Sequence, residues 1–362
     1  VSWLEDLDDD DEPEFDEGDV RVRPNPKANR PRTKRRPAHA DAEIARVLGV
    51  DRGRYTVLVD EDGPDEHTVS AVRARELRKM PIVTGDRARV VGDRSGEEGT
   101  LARIVGIEAR TSLLRRSADD TDQVERIIVA NADQMLVVVA AADPEPRERL
   151  VDRYLVAALD AGIRPLLVVT KTDLADPSKF LAHFDGLDLE VFTSARDEMP
   201  VERIGAALIG HSTVFVGHSG VGKSTLVNVL VPEARRATGH VNVVTGRGRH
   251  TSSSTVSLRY AGDGGNGWVI DTPGVRSFGL GHVDTANILR AFTDLDEIAR
   301  ECPRGCTHLP DAPDCAIVEA VAEGKLGPGG AARLDSLQRL LLTFADKSSQ
   351  RAGASSAPTL EP

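Results

Sequence analysis

VFVGHSGVGKST, residues Val214–Thr225, is the stretch on which the fold turns. Gly217, Gly222, Lys223 and Ser224 satisfy G-x-x-x-x-G-K-[ST], directly after the apolar run TVFV and directly before TLVNVLV, a helical run. A turn of this kind lets the backbone N–H groups of Gly217, His218, Ser219, Gly220, Val221 and Gly222 close around phosphate oxygens, with the helix N-terminus behind them. Lys223 is expected to reach the β- and γ-phosphates. The Ser224 hydroxyl, with Thr225 beside it, belongs on Mg²⁺.

Upstream lies VVTKTD, Val168–Asp173, after another apolar run. Guanine presents two adjacent donors, N1–H and the 2-amino group, and the Asp173 carboxylate can accept both. Adenine lacks that pair, which sets aside an ATP-using P-loop kinase. Lys171 and Thr172 complete the motif, with Thr170 where many GTPases carry Asn. TSA, Thr193–Ala195, follows a further strand-like run and offers Ser194 and the Ala195 N–H as a second base contact. Downstream, DTPG (Asp271–Gly274) follows GWVI and reads as a switch, Asp271 in the Mg²⁺ shell and Gly274 at the γ-phosphate.

The base reader therefore precedes the phosphate loop, the reverse of the usual order. A circular permutation, which joins the old ends and opens another loop, reorders the motifs and keeps the packed sheet. The surrounding pattern agrees. From about residue 125, QMLVVVAAA, RPLLVVTKTD, EVFTSA and TVFVG alternate with helical runs such as RERLVDRYLVAALDAG, as in a doubly wound parallel sheet.

Either side of this α/β region the pattern differs. Residues 41–116 read as five short strands, EIARVLGV, RYTVLVD, HTVSAVRA, DRARVVGD and GTLARIVGIEA, separated by turns, which suits a small β-barrel of OB type. VRARELRKM there clusters Arg73, Arg75, Arg78 and Lys79. After about 288 the chain turns helical and polar, and AARLDSLQRLLLTF sets Leu334, Leu337, Leu341 and Phe344 on one stripe. Cys302, Cys306, His308 and Cys315 form C-x₃-C-x-H-x₆-C and hold every cysteine of the chain. Three thiolates and an imidazole suit tetrahedral Zn²⁺ with no open position, a structural site.

The net charge is −12. Residues 1–17 contribute −10 and residues 18–36 contribute +7, so residues 37–362 carry −9. Contact with RNA must then come from local patches or the basic tail segment. The cysteine usage points to a reducing cytosolic setting, and no long apolar run suggests a membrane span or a secretory leader.

Together GHSGVGKST, GRGRHTSSS, DTPGVRSFGL and the Cys/His cluster, in this permuted order, resemble the bacterial RsgA (YjeQ) family of small-subunit-dependent GTPases. The resemblance runs from about residue 42 to about 345 and includes VSAVRARELRK, IVANADQMLVVVAA and LVDRYLVAA. Composition sets residues 1–40 apart as an acidic and basic disordered tail, and the resemblance implies an OB-fold RNA-binding domain over 41–116 and a permuted G domain over 117–288. A helical zinc-binding domain over 289–346 and a disordered tail over 347–362 complete the expected plan. GTP hydrolysis stimulated by the 30S subunit, contact with 16S rRNA and a role in late small-subunit maturation are implied too, for a monomer cycling between GTP and GDP. The family's spacing of the zinc ligands is four and five residues in the outer gaps, so one residue has moved between them here.

Val275 follows Gly274, where Ras-like GTPases hold the water-orienting glutamine, and valine cannot orient water. His250, in GRGRHTSSS, is the candidate replacement, with Thr251 or Ser252 as the switch hydroxyl on Mg²⁺. The competing reading is a nucleotide-gated RNA-binding adaptor with little turnover of its own.

Overall fold

The computed structural model describes residues 39–78, 80–117, 125–232, 255–273, 278, 280, 283–327 and 329–354. The charged tail expected at the N-terminus lies outside these residues.

Five strands close on themselves first: β1 (Glu43–Asp51), β2 (Arg54–Val59), β3 (His67–Arg73), β4 (Arg87–Gly92) and β5 (Ala102–Ile107). Their order is β1-β2-β3-β5-β4, and β4 pairs back to β1, so the sheet is a barrel of the expected OB type. Alternate residues fill it: Val57 and Val59, Val69 and Ala71, Ala88 and Val90, Ala102 and Ile104 share one core. A hairpin of β6 (Leu113–Ser117) and β7 (Glu125–Ala130) follows, and the expected domain junction at 116/117 falls within it.

Beyond it comes the α/β region, with β8 (Gln134–Ala140), α1 (Glu148–Asp160), β9 (Arg164–Thr170), α2 (Ser178–Leu181), β10 (Glu190–Ser194) and α3 (Val201–Leu208). Then come β11 (Ser212–Gly217), α4 (Lys223–Leu230), β12 (Val256–Gly262) and β13 (Gly265–Asp271). Strands run in the order β10-β9-β8-β11-β13-β12. Those from β10 to β13 are parallel, as expected. Their apolar runs are continuous because both faces are covered. Met135, Val137 and Val139 join the core under α1, while Leu136, Val138 and Ala140 join the core under α3 and α4.

The strand next to β13, β12, departs from the all-parallel expectation, for it runs antiparallel to β13 with Gly262 opposite Gly265. The two residues between them, Asp263-Gly264, make the tight loop that joins antiparallel neighbours. β12 also touches the barrel, Val256 pairing with Gly49 of β1, so one sheet of eleven strands runs through both parts.

The C-terminal helices are α5 (Thr285–Arg290), α6 (Thr293–Ala299), α7 (Ala316–Ala322) and α8 (Gly330–Ala354). Leu334, Leu337, Leu340 and Leu341 of α8 are buried in the core that α1 also fills. α8 continues past residue 346, where the helical module was expected to end. The side chain of Phe344 lies outside the description. Among the described residues no helix is long and apolar enough to cross a membrane.

Candidate nucleotide site and Cys/His cluster

The order in which strands are added reverses between the parallel neighbours β8 and β11: the chain proceeds outward through β9 and β10 on one side, and through β13 on the other. Ligands of open α/β sheets sit at the carboxyl ends of the strands at such a switch point. Every sequence motif ends a strand there. Thr170 closes β9 opposite Ala140 and Ser194, Gly217 closes β11 opposite Val138, and Asp271 closes β13 opposite Phe215. β9 and β11 are two strands apart, roughly 10 Å at the usual spacing. That is a distance one nucleoside triphosphate can bridge.

The phosphate loop has the conformation its glycines permit. Gly222 caps α4 with a left-handed φ of +91°, and a Cβ on Gly217 would stand 2.5 Å from the Val138 carbonyl oxygen. Val221 turns into the core while Ser219, Gly220, Ser224 and Thr225 are exposed. His218 lies beside them, its Nδ1 3.0 Å from the Ser219 carbonyl oxygen. The Lys223 ammonium contacts the Asp271 carboxylate, so cation and acid face one another at the site. A phosphate for Lys223 and a divalent cation for Ser224 and Asp271 match this donor set. Thr272 fastens the DTPG segment from below, its hydroxyl donating to Phe215 O at 2.7 Å.

The base-reading segments are tied to each other and to the phosphate loop. Thr172 N donates to Ser194 O at 3.2 Å, and Arg196 N donates to the Asp173 carboxylate at 3.0 Å. Asp173 is exposed and its second oxygen faces no protein donor in the described set. Lys171 holds a left-handed φ of +57° and its ammonium donates to Asp143 O. The Ala195 N–H, expected on the base, donates to Glu198 O at 3.1 Å within its own turn. Thr170 is buried, and its hydroxyl donates to Val221 O at 2.6 Å. It serves the pocket as a brace between the two motifs, a role that its spacing did not reveal.

His250, Thr251, Ser252, Gly274 and Val275 lie outside the described residues. The far end of the switch is described, and sequence reasoning missed its anchor. Phe278 packs edge-on against Tyr154 of α1 with centroids 5.7 Å apart, and Arg153 donates to Phe278 O at 3.3 Å.

Between α6 and α7, Cys302, Cys306, His308 and Cys315 bring one ligand atom each within 4.8 Å of one another. Cys302 Sγ and Cys315 Sγ each stand 3.7 Å from His308 Nδ1 and 4.0 Å from one another. Tetrahedral Zn²⁺ with its usual bond lengths sets such separations at about 3.6–3.8 Å, so the cage fits. Burial pulls the His308 pKa down, which favours the neutral imidazole a metal takes. Desolvation, ahead of its other causes, pushes the Cys306 thiol up to about 11, so a metal must displace that proton. Gln338 of α8 donates to His308 O at 3.1 Å and ties the loop to the core.

The G-x-x-x-x-G-K-S loop at the end of β11, the VVTKTD segment ahead of it in the chain and Asp271 at the end of β13, all at the carboxyl ends of strands in one sheet, are the arrangement of a circularly permuted P-loop GTPase. The family model described as RsgA GTPase matches residues 107–281. The small ribosomal subunit biogenesis GTPase RsgA of Pseudomonas aeruginosa is 37% identical over 259 residues, 68% of this chain and 72% of that protein. The protein of the same name in Pseudomonas syringae is 40% identical over 288 residues, 77% and 81% of the two chains. YjeQ from Thermotoga maritima superposes with a TM-score of 0.59 at 22% identity, covering 84% of this chain and 99% of that one. YloQ, described as a circularly permuted GTPase, gives 0.59 at 24% identity, covering 86% and 97%. The chain belongs to the RsgA GTPase family and is a GTP-hydrolysing enzyme.

Proposed function

We propose that this enzyme binds the 30S ribosomal subunit, that the subunit raises its rate of GTP hydrolysis, and that it acts in late small-subunit maturation in the cytoplasm. The observation that carries the reading is the Thr170–Val221 bond, which supports a single pocket for base and phosphates. The relatives' name, small ribosomal subunit biogenesis GTPase, supports the process. In this reading Asp173 and Lys171 grip guanine with help from Thr172, Ser194 and Ala195. Residues 217–225 hold the triphosphate, and Ser224, Asp271 and Thr251 hold Mg²⁺. His250 orients the attacking water. The barrel, over 41–116, meets 16S rRNA through exposed Arg73, Arg75 and Arg78. Cys302, Cys306, His308 and Cys315 hold one structural Zn²⁺ in the module over 289–346, and the protein works as a monomer.

Valine at position 275 makes basal turnover slow, and a partner that completes such a site can raise it by roughly 10³–10⁵-fold. Phosphate release is to be measured with no particle and with purified 30S, 50S and 70S particles, for wild type and His250→Ala. The expected result is strong stimulation by 30S alone that His250→Ala abolishes. Equal stimulation by all three particles, or by none, contradicts the reading.

A further inference from the structure

The barrel is joined to the nucleotide site by more than a linker. Gly49 of β1 pairs with Val256, Val256 with Asp271, and Asp271 with Phe215, so one ladder row leads from the barrel to the switch aspartate. Thr84 of the barrel adds a bond to Thr255 O at 3.1 Å, next to the same row.

Beside this row is a buried polar cluster that the site does not use. Arg46 of β1 is 6% exposed. Its guanidinium lies 4.7 Å over the ring of Trp268 on β13, and Arg259 of β12 lies 5.3 Å over the same ring. Glu61, from the β2–β3 turn of the barrel, accepts from Arg46 Nε at 2.7 Å and from the Trp268 indole N–H at 2.9 Å. Arg46 also reaches Ser212, the first residue of β11, at 3.4 Å. Arg259 binds Glu66 at 2.7 Å and Asp62, in the same barrel turn as Glu61. Trp268 is three residues ahead of Asp271 on β13, and β11 ends in the phosphate loop.

A buried charge with a planar stack and a shared carboxylate has few alternative arrangements, because each partner lost leaves a desolvated group unpaired. Such a cluster moves as a unit. We propose that Arg46, Glu61 and Trp268 are positioning residues of the stimulated reaction: they clamp the barrel to the two strands that carry the phosphate loop and Asp271. A ligand on the barrel thereby shifts those strands, and the nucleotide in turn shifts the barrel, because coupling between two sites is reciprocal. The inference rests on the proposed 30S-stimulated activity for its first test and is independent of it in the second.

The first test measures 30S-stimulated turnover and GTP affinity for Trp268→Phe and Glu61→Gln, both near-isosteric, in the full chain. Thermal melting checks that both fold. The expected result is GTP affinity and basal turnover within about twofold of wild type, with stimulation reduced about tenfold, inside the usual range of inter-site coupling. The second test reads Trp268 emission in Trp3→Phe protein, where it is the single tryptophan, with GDP and with a non-hydrolysable GTP analogue. The emission is expected to differ between the two nucleotides, and Glu61→Gln to remove the difference. Variants stimulated as strongly as wild type, or emission indifferent to the nucleotide, overturn the clamp. Wild type without any response to 30S refutes the proposed function instead, and the emission alone then decides the clamp.

Discussion

The Thr170 hydroxyl has one proton, and it goes to Val221 O at 2.6 Å, with Val139 O a more distant 3.2 Å away. That proton joins the base-reading strand to the phosphate loop inside the core, where an unpaired carbonyl costs about 1–3 kcal/mol. Thr170→Val keeps the shape and removes the proton. It is expected to weaken GDP binding roughly tenfold by titration, while Thr170→Ser binds as wild type does. Equal affinity in the valine variant would remove Thr170 as the brace. The sequence suggested Thr170 only as a substitute for Asn at the base. The places of Gly217 and Asp271 at strand ends, and of Gly222 and Lys223 at the start of α4, were readable because spacing and flanking apolar runs define them. A hydroxyl pointing inward across two strands leaves no periodic trace.

Among the elements, α8 is held to α1 by an ion pair. Arg339 Nη1 stands 2.5 Å from Asp152, whose side chain is 3% exposed. Burial raises the Asp152 pKa and Arg339 opposes it. A raised carboxyl pKa means that the fold favours the protonated acid. Its contribution is present in full below the unfolded pKa and is lost as pH rises through the native one. Without Arg339 that pKa climbs further. Arg339→Leu is therefore expected to lose about 2–3 kcal/mol at pH 7, somewhat less than a fully buried pair, and distinctly less at pH 5. Adding Asp152→Leu is expected to restore most of the loss. Denaturant midpoints at the two pH values check this, and a penalty independent of pH would contradict it. The helical stripe on α8 was legible from Leu334, Leu337 and Leu341, and the barrel strands from their alternation. β12 was not, although Asp263-Gly264 is a hairpin signal: Ser257 and Arg259 interrupt its apolar pattern on a strand that lies between β13 and the barrel, where Arg259 pairs with Asp62 and Glu66. Arg46 was equally hidden, since a buried arginine reads as a surface one until its stacking partner is known.

Across the whole molecule, permutation rearranges the chain and leaves the switch point intact. The base reader on β9 and β10 and the phosphate loop on β11 meet at one edge although they come in reversed order. The same rearrangement leaves β12 and β13 late in the G region, where β12 can pair with the barrel on its free side and the chain after β13 runs into the helices that frame the Cys/His cluster. On the barrel side the connection to Asp271 is a continuous hydrogen-bonded row through β12. The claim beneath all of this is that a residue in the middle of the chain selects the nucleotide which a later loop hydrolyses. Asp173→Asn tests it most directly, because an amide donor suits the 2-oxo group of xanthine and loses the two donors of guanine. Turnover of GTP and of XTP is to be measured on 30S subunits with wild type and this variant. The account expects GTP turnover to fall and XTP turnover to rise until the preference inverts; a variant that still prefers GTP as wild type does would contradict it.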